Sequence, residues 1–350
     1  MKKKTKNILI RILICAAALA AVLLVFFLIE KGIDRSGAAE KAEARQAERM
    51  QEKEAKKADT EAAAETESTE NTAAEEVLSE GAEEAPEELT FPTTTPEGST
   101  DAEGNITSIA ITNPQLDITQ YDASLVEWGS GGPTDEYGRP DGCIIDQQKY
   151  GDLSAYFIAP WQEGEPKVIY LTFDIGYTNE YTTQILDVLA EKGVKGVFFA
   201  TLGVVRDEPE ICNRIINEGH ELGNHSVTHT NMAAKSIEEQ TEELMQVHNA
   251  AVENYNYVMH LWRYPEGKFS EQGLAIVNNC NYRSVFWSFA HRDWVVEDQP
   301  DVNESREKAI NALHPGAIYL LHGISATNAA ILPDLIDAAL AQGYSFELLQ

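Results

Sequence analysis

Hydrophobic and polar positions fall into three regimes along the 350 residues. Residues 12–29 are continuously apolar. Residues 37–104 contain almost no large apolar side chain. From about Val168 onward, short β-rich runs alternate with stretches of helical period. The strand-like runs cover residues 168–173, 196–200, 284–289, 317–321 and 344–348. Between them Ile185, Val188 and Leu189 recur on one helical face, as do Ile211, Ile215 and Ile216, and later Leu335, Ile336, Ala339 and Leu340. Ser236 followed by Glu239 is a capping box opening a further helix that runs to about residue 254. Strands alternating with helices of this length predict βα units around a parallel sheet, an α/β fold. In a closed or nearly closed barrel of such units, reactive side chains sit at the C-terminal ends of the strands.

The N-terminal regimes predict a different environment for the remainder. An apolar run of 18 residues is about the minimum for spanning a bilayer core, and Lys2, Lys3, Lys4 and Lys6 precede it. The positive-inside bias then makes residues 1–36 a cytoplasmic tail and single-pass transmembrane anchor, with all that follows outside the cell membrane. The competing reading is a cleaved signal peptide, helped by the small residues Gly37, Ala38 and Ala39. Residues 37–104 carry 20 acidic and 6 basic side chains, a net of −14 out of −30 for the whole chain. Such a segment buries too little apolar surface to offset its ordering entropy and is expected to be a disordered acidic linker. This charge argues against nucleic acid as a partner. Residues 105–167 form a turn-rich lead-in and 168–350 the folded domain. Outside the anchor, which holds Cys15, the cysteines are Cys143, Cys212 and Cys280; odd in number and widely spaced, they do not make a disulfide framework.

Polar residues able to do chemistry follow the strand runs. Asp174 follows the first and precedes Gly176, a turn in which a carboxylate is presented. His322 follows the run 317–321, and Asp293 lies just past Phe289. Arg263 follows His260-Leu261-Trp262 and is able to grip a carboxylate with two nitrogens. His225 and His229 have the i, i+4 spacing that places two imidazoles on one face of a helical turn, where they could share a first-row divalent ion. Asn224 and Ser226 stand beside them, able to orient the rings. Polar groups from five segments thus converge on one rim.

The order Thr172-Phe173-Asp174-x-Gly176, His225-Ser226-x-x-His229, Arg263-x-Pro265-x-Gly267, Asp293-Trp294 and Leu320-Leu321-His322 resembles the polysaccharide deacetylases of carbohydrate esterase family four, the NodB-homology proteins. The resemblance covers residues 168–350. The stretches "VFWSFAHRDW" and "LHPGAIYLLHG", and Tyr177 after Gly176, are similar to the branch that deacetylates N-acetylmuramic acid in peptidoglycan and is linked to the δ-lactam of spore cortex. The resemblance implies an irregular (β/α)₇ barrel that hydrolyses an acetamide on an amino sugar of a peptidoglycan strand. Asp174 would be the general base, Arg263 its orienter, His322 the general acid and Asp293 the partner of His322. His225 and His229 would hold a divalent metal such as Zn, Mn or Co. A backbone N–H near Glu266 would face the oxyanion, and Tyr177, Trp294 and Leu320 would line the sugar and acetyl subsites.

Position 175 departs from the family pattern. Most relatives carry a second aspartate there as third metal ligand, and the muramic branch has asparagine; this chain has Ile175, which offers no donor atom. Water or substrate could fill the place, or Asn179, Glu180 or His291 could substitute. The other class of reading is a non-catalytic glycan-binding protein that uses Trp262, Trp287, Trp294 and Tyr177 as sugar platforms. Retention of Asp174, Arg263, Asp293 and His322 together favours an enzyme. Within that class, N-acetylglucosamine or another acetylated polysaccharide is the alternative substrate.

Overall fold

The computed structural model describes residues 115–349. The anchor expected at 1–36, the acidic linker at 37–104 and the first residues of the lead-in lie outside the described residues. Among those described, no helix is long and apolar enough to cross a membrane.

The strands are β1 (Val126–Glu127), β2 (Ala155–Tyr156), β3 (Lys167–Ile175), β4 (Val197–Ala200), β5 (Glu221–Asn224), β6 (Leu261–Trp262), β7 (Lys268–Phe269), β8 (Arg283–Val285), β9 (Phe289–Ala290), β10 (Ala317–His322) and β11 (Tyr344–Phe346). Nine of them form one sheet in the order β2-β8-β6-β5-β4-β3-β10-β9, with β11 also on β3, and its pairings are parallel. Helices such as Glu180–Lys192, Pro209–Asn217, Ile237–Tyr255 and Ala326–Ala341 connect successive strands. The result is a curled half-barrel. Among the described residues no ladder joins β9 to β2, so the sheet stays open.

Alternation along β3 separates two apolar layers. Ile169, Leu171, Phe173 and Ile175 belong to the cluster shared with the helices through Ile185, Leu186 and Leu189. Val197, Phe199, Leu261, Val285 and Ile318 form a second, smaller cluster, against which Tyr170 packs. Each fully buried aliphatic or aromatic side chain contributes about 1.5–3 kcal/mol. The helix boundaries follow local chemistry. Ser236 accepts from Glu239 N while Glu239 closes the reciprocal bond, the capping box expected from the sequence. Asn179 caps the helix Glu180–Lys192, and Gly193 ends it in the left-handed conformation.

Residues 115–159 do more than wrap the domain. They contribute β2 to the sheet edge beside β8, and β1 pairs antiparallel with β7 just after the Arg263 loop. Phe157 stacks on Phe286 at 4.3 Å, and Trp128 meets Phe157 edge-on at 4.8 Å. The sequence run 284–289 is not one strand: β8 ends at Val285, and β9 begins at Phe289 after a turn. Cys143, Cys212 and Cys280 are free and buried.

Candidate active site

Asp174 and His322 are cross-strand partners in the β3–β10 ladder, both at the C-terminal ends of their strands. Neighbouring strands lie about 4.8 Å apart, so a base and an acid arise here from adjacent backbones. Asp174 and Thr172 project to the side of β3 opposite Phe173 and Ile175, and Arg263 meets both of them. Its Nη1 donates to Asp174 Oδ1 at 2.9 Å and to Thr172 Oγ1 at 2.8 Å. Its Nε donates to the Val285 carbonyl at 3.0 Å and Nη2 to the Phe286 carbonyl at 3.1 Å. The expected two-nitrogen grip on Asp174 is therefore replaced by a single contact, because the rest of the guanidinium ties β6 to the break after β8. The guanidinium also lies over the Phe199 ring at 4.3 Å. Arg263 is fully buried; burial lowers its pKa and the Asp174 carboxylate opposes that shift. A buried cation with this many acceptors has one geometry available, which fixes Oδ1 of Asp174.

His322 is held just as closely. Its Nδ1 lies 2.7 Å from Asp293 Oδ1, and its backbone N–H donates to Asp293 Oδ2 at 2.8 Å. Burial pushes the His322 pKa down, but the hydrogen bond and charge of Asp293, aided by Asp174, outweigh it and the net shift is upward. Asp293 is completely buried; burial raises its pKa, and bonding to His322 with the charges of His322 and His291 brings it below the ordinary value. An Nδ1–H bonded to a carboxylate leaves Nε2 as the working nitrogen of His322.

The segment carrying His225 and His229 is not the helical turn that their spacing suggested. β5 ends at Asn224, and the following loop has left-handed backbone at Ser226 (φ 68°) and His229 (φ 51°). The rings nevertheless meet, edge to face, with centroids 4.7 Å apart. Asn224 and Ser226 shape this loop rather than orient the rings. Asn224 Oδ1 accepts from Ser226 N, and Ser226 Oγ accepts from His229 N. The orienting group for His225 is the Arg263 carbonyl, 3.0 Å from Nδ1. Burial, opposed by Asp174, brings the His225 pKa down to about 4, so the ring is neutral near pH 7. With Nδ1–H on that carbonyl, the Nε2 lone pair faces Asp174 Oδ2 at 3.5 Å. A lone pair directed at a carboxylate is an arrangement that a cation completes.

The donor set fits a divalent ion only in part. Ile175 is fully buried in the helix-side cluster, and its Cγ2 lies 2.5 Å from where a Cβ on Gly323 would stand. It neither donates to the site nor plugs it. Of the substitutes considered from sequence, Asn179 bonds Tyr181 N and the Ile324 carbonyl, His291 bonds Asn328, and Glu180 is exposed at the start of the helix Glu180–Lys192. Among the described residues no group of three His, Cys, Asp or Glu is placed to hold a metal.

At the rim, Tyr177 and Trp294 are each 52 % exposed, and the Trp294 ring lies 5.7 Å from that of His322. Leu320 is buried one turn of the pleat below His322. Glu266 occupies a left-handed position (φ 56°) in the turn after Arg263, and its carboxylate pairs with Lys268 at 2.6 Å, so its side chain is turned to the surface. Gly267 follows with φ 68°, where a Cβ would strike the Trp287 ring at 2.8 Å. Trp262 and Trp287 are buried and serve as packing rather than as sugar platforms.

Three positioning groups escaped the sequence reading. Thr172, opposite Arg263, looked like an ordinary strand residue. Asn328 donates to Asp293 Oδ2 and caps nothing obvious in the sequence. Glu243 accepts from Val227 N and Thr228 N, both at 2.9 Å, from Thr228 Oγ1, and pairs with Lys235, so it pins the histidine loop to the helix Ile237–Tyr255. A signal existed for Glu243: it shares the helical face of Leu244 and Val247, where an unpaired carboxylate would be costly.

A carboxylate held by a buried arginine, opposite an imidazole held by a buried aspartate, with two further imidazoles alongside, defines a hydrolase of the acyl-transfer type. The comparisons make the class specific. The family profile for polysaccharide deacetylase matches residues 162–285. The chain is 41 % identical over 182 residues to the peptidoglycan-N-acetylmuramic acid deacetylase PdaA of Bacillus subtilis, covering 52 % of this chain and 69 % of that protein. The solved structure of Bacillus subtilis PdaA, a family 4 carbohydrate esterase, superposes with a TM-score of 0.60 at 34 % identity, covering 65 % of this chain and 96 % of that one. A family 4 carbohydrate esterase from Bacillus anthracis gives 0.53 at 33 %, over 65 % and 95 %. The chain belongs to the polysaccharide deacetylases of the NodB-homology type, carbohydrate esterase family four. It is a hydrolase of non-peptide carbon–nitrogen bonds, and deacetylases of this family generally depend on a divalent metal.

Proposed function

We propose that the protein is a membrane-anchored, extracytoplasmic de-N-acetylase of peptidoglycan that acts on N-acetylmuramic acid. The anchor rests on the apolar run at 12–29 and the lysines before it. The sugar rests on the likeness to PdaA. The open sheet is read as the irregular (β/α)₇ barrel of the family. The observation that carries the reaction is the pairing of Asp174 with Arg263 beside His322 with Asp293 on adjacent strand ends.

In this reading Asp174 takes a proton from water as the water oxygen attacks the acetyl carbonyl carbon. Arg263, through Oδ1, holds the carboxylate in place and leaves Oδ2 toward the cleft. His322 Nε2 then gives its proton to the amide nitrogen, the C–N bond breaks, and acetate and a free amine leave. Asp293 stabilises the imidazolium before that transfer. In the left-handed turn after Arg263, the backbone N–H of Glu266 would serve the developing oxyanion, since those of Gly267 and Lys268 are bonded within the turn. Leu320 walls the acetyl methyl, while Tyr177 and Trp294 flank the sugar ring. Of the residues present, His225 and His229 would hold the Zn, Mn or Co ion, which when bound supplies Lewis-acid polarisation of the carbonyl.

The test is acetate release by the full-length protein on glycan strands with and without stem peptides, the free amine being located by mass spectrometry. Amine on muramic acid supports the reading. Amine on glucosamine alone would move the chain to the alternative substrate.

A further inference from the structure

Behind Asp293 lies a second pair of polar groups that the reaction above does not use. Asn328 sits in the first turn of the helix Ala326–Ala341 and is completely buried. Its Nδ2 donates to Asp293 Oδ2 and, at 3.1 Å, to the His322 carbonyl. Two acceptors on one side of the amide fix its orientation, so Oδ1 faces away from the site. There it meets His291 Nε2 at 2.8 Å, which must therefore carry a proton. His291, also buried, approaches Asp293 Oδ2 at 3.6 Å. Asn328 N in turn donates to Ser325 Oγ, and Ser325 Oγ donates to Gln299 at 2.5 Å, so the amide cannot swing out.

Resting on the reading of His322 as the acid, we propose that Asn328, oriented by His291, is the positioning residue that sets the plane of the Asp293 carboxylate. Asp293 has two oxygens and must offer Oδ1 to His322 Nδ1 while Oδ2 faces the backbone. Without Asn328 the carboxylate retains one anchoring N–H, that of His322 itself, and rotates with the ring it is meant to hold. The imidazole then loses the orientation that points Nε2 at the departing nitrogen.

The leaving group separates this role from a structural one. An amide nitrogen must be protonated as the C–N bond breaks. An aryl acetate with a nitrophenolate leaving group needs no proton, and requires only Asp174 and its water. Full-length Asn328→Leu, matched in volume but without donors, is expected to lose about 10²-fold in kcat on an N-acetylated glycan, with KM changed less than about threefold. Hydrolysis of p-nitrophenyl acetate should fall less than about threefold. His291→Leu should show the same selectivity at smaller size, and His291→Gln, which keeps a donor for Asn328, should recover it. If Asn328→Leu does not fold, the two His291 variants decide. Equal loss on both substrates by the Asn328 or His291 variants, or no loss on either, overturns the proposal. Equal loss in His322→Gln instead overturns the acid assignment itself, which separates the two failures.

Discussion

Asp174 and Ile175 are sequence neighbours that face opposite sides of the sheet. Asp174 meets Arg263 and His225 in the cleft, whereas Ile175 is packed among the helices against Gly323. The substitution at 175 thus thins the metal's support without blocking the catalytic pair. It also turns that position into core.

Ile175→Ala should therefore be a stability variant. Truncating a fully buried isoleucine costs about 2–5 kcal/mol, read by chemical denaturation. The kcat on an N-acetylated glycan should stay within about threefold at temperatures where the variant is folded.

Arg263→Lys should fail as a conservative change. Lysine cannot reach Asp174, Thr172 and the Val285 and Phe286 carbonyls together. Leaving a buried carboxylate without its partner costs about 3–5 kcal/mol. Denaturation midpoints and acetate release should fall together.

The pH profile follows from His322. Its folded pKa stands above the ordinary 6.5. The acid remains protonated to higher pH than a free imidazole, and kcat/KM should fall on an alkaline limb lying above pH 6.5. Asp293→Asn should move that limb to lower pH. The same shift contributes stability that is fully present below the unfolded value and lost as pH rises through the folded one. Asp293, lowered from 3.8, contributes in the other direction: present above that value, lost as pH falls through its folded pKa.

Two imidazoles that lack a carboxylate at position 175 should bind a divalent ion weakly. Chelator competition with Zn²⁺ should show binding that His225→Ala and His229→Ala each abolish. Glu243→Ala, which frees the loop held at Val227 and Thr228, should weaken it by about 10–100-fold. Removing metal from the wild type with a chelator should suppress acetate release, and re-addition should restore it.

The half-barrel was legible because its strands are short apolar runs between helices with clear caps, and because Asp174 and His322 sit where such runs end. The break between β8 and β9 was not legible: 284–289 reads as continuous β-formers, and only the Arg263 bonds to the Val285 and Phe286 carbonyls show why the chain turns there. The histidine loop was misread as helical because i, i+4 spacing carries no information about φ at Ser226 and His229. Asn328 acts only through partners distant in sequence, and nothing local marks it; Thr172 stands in the first motif, but its bond to Arg263 is not readable from there.

The most direct test is acetate release from N-acetylated peptidoglycan strands by the full-length, metal-loaded protein and by Asp174→Asn. Acetate is expected from the wild type, with a loss of about 10²–10⁴-fold in the variant, the size of general-base catalysis, and with glycan binding retained. No acetate from the wild type with Zn, Mn or Co, while the glycan still binds, would contradict the deacetylase reading and leave a glycan-binding member of the family.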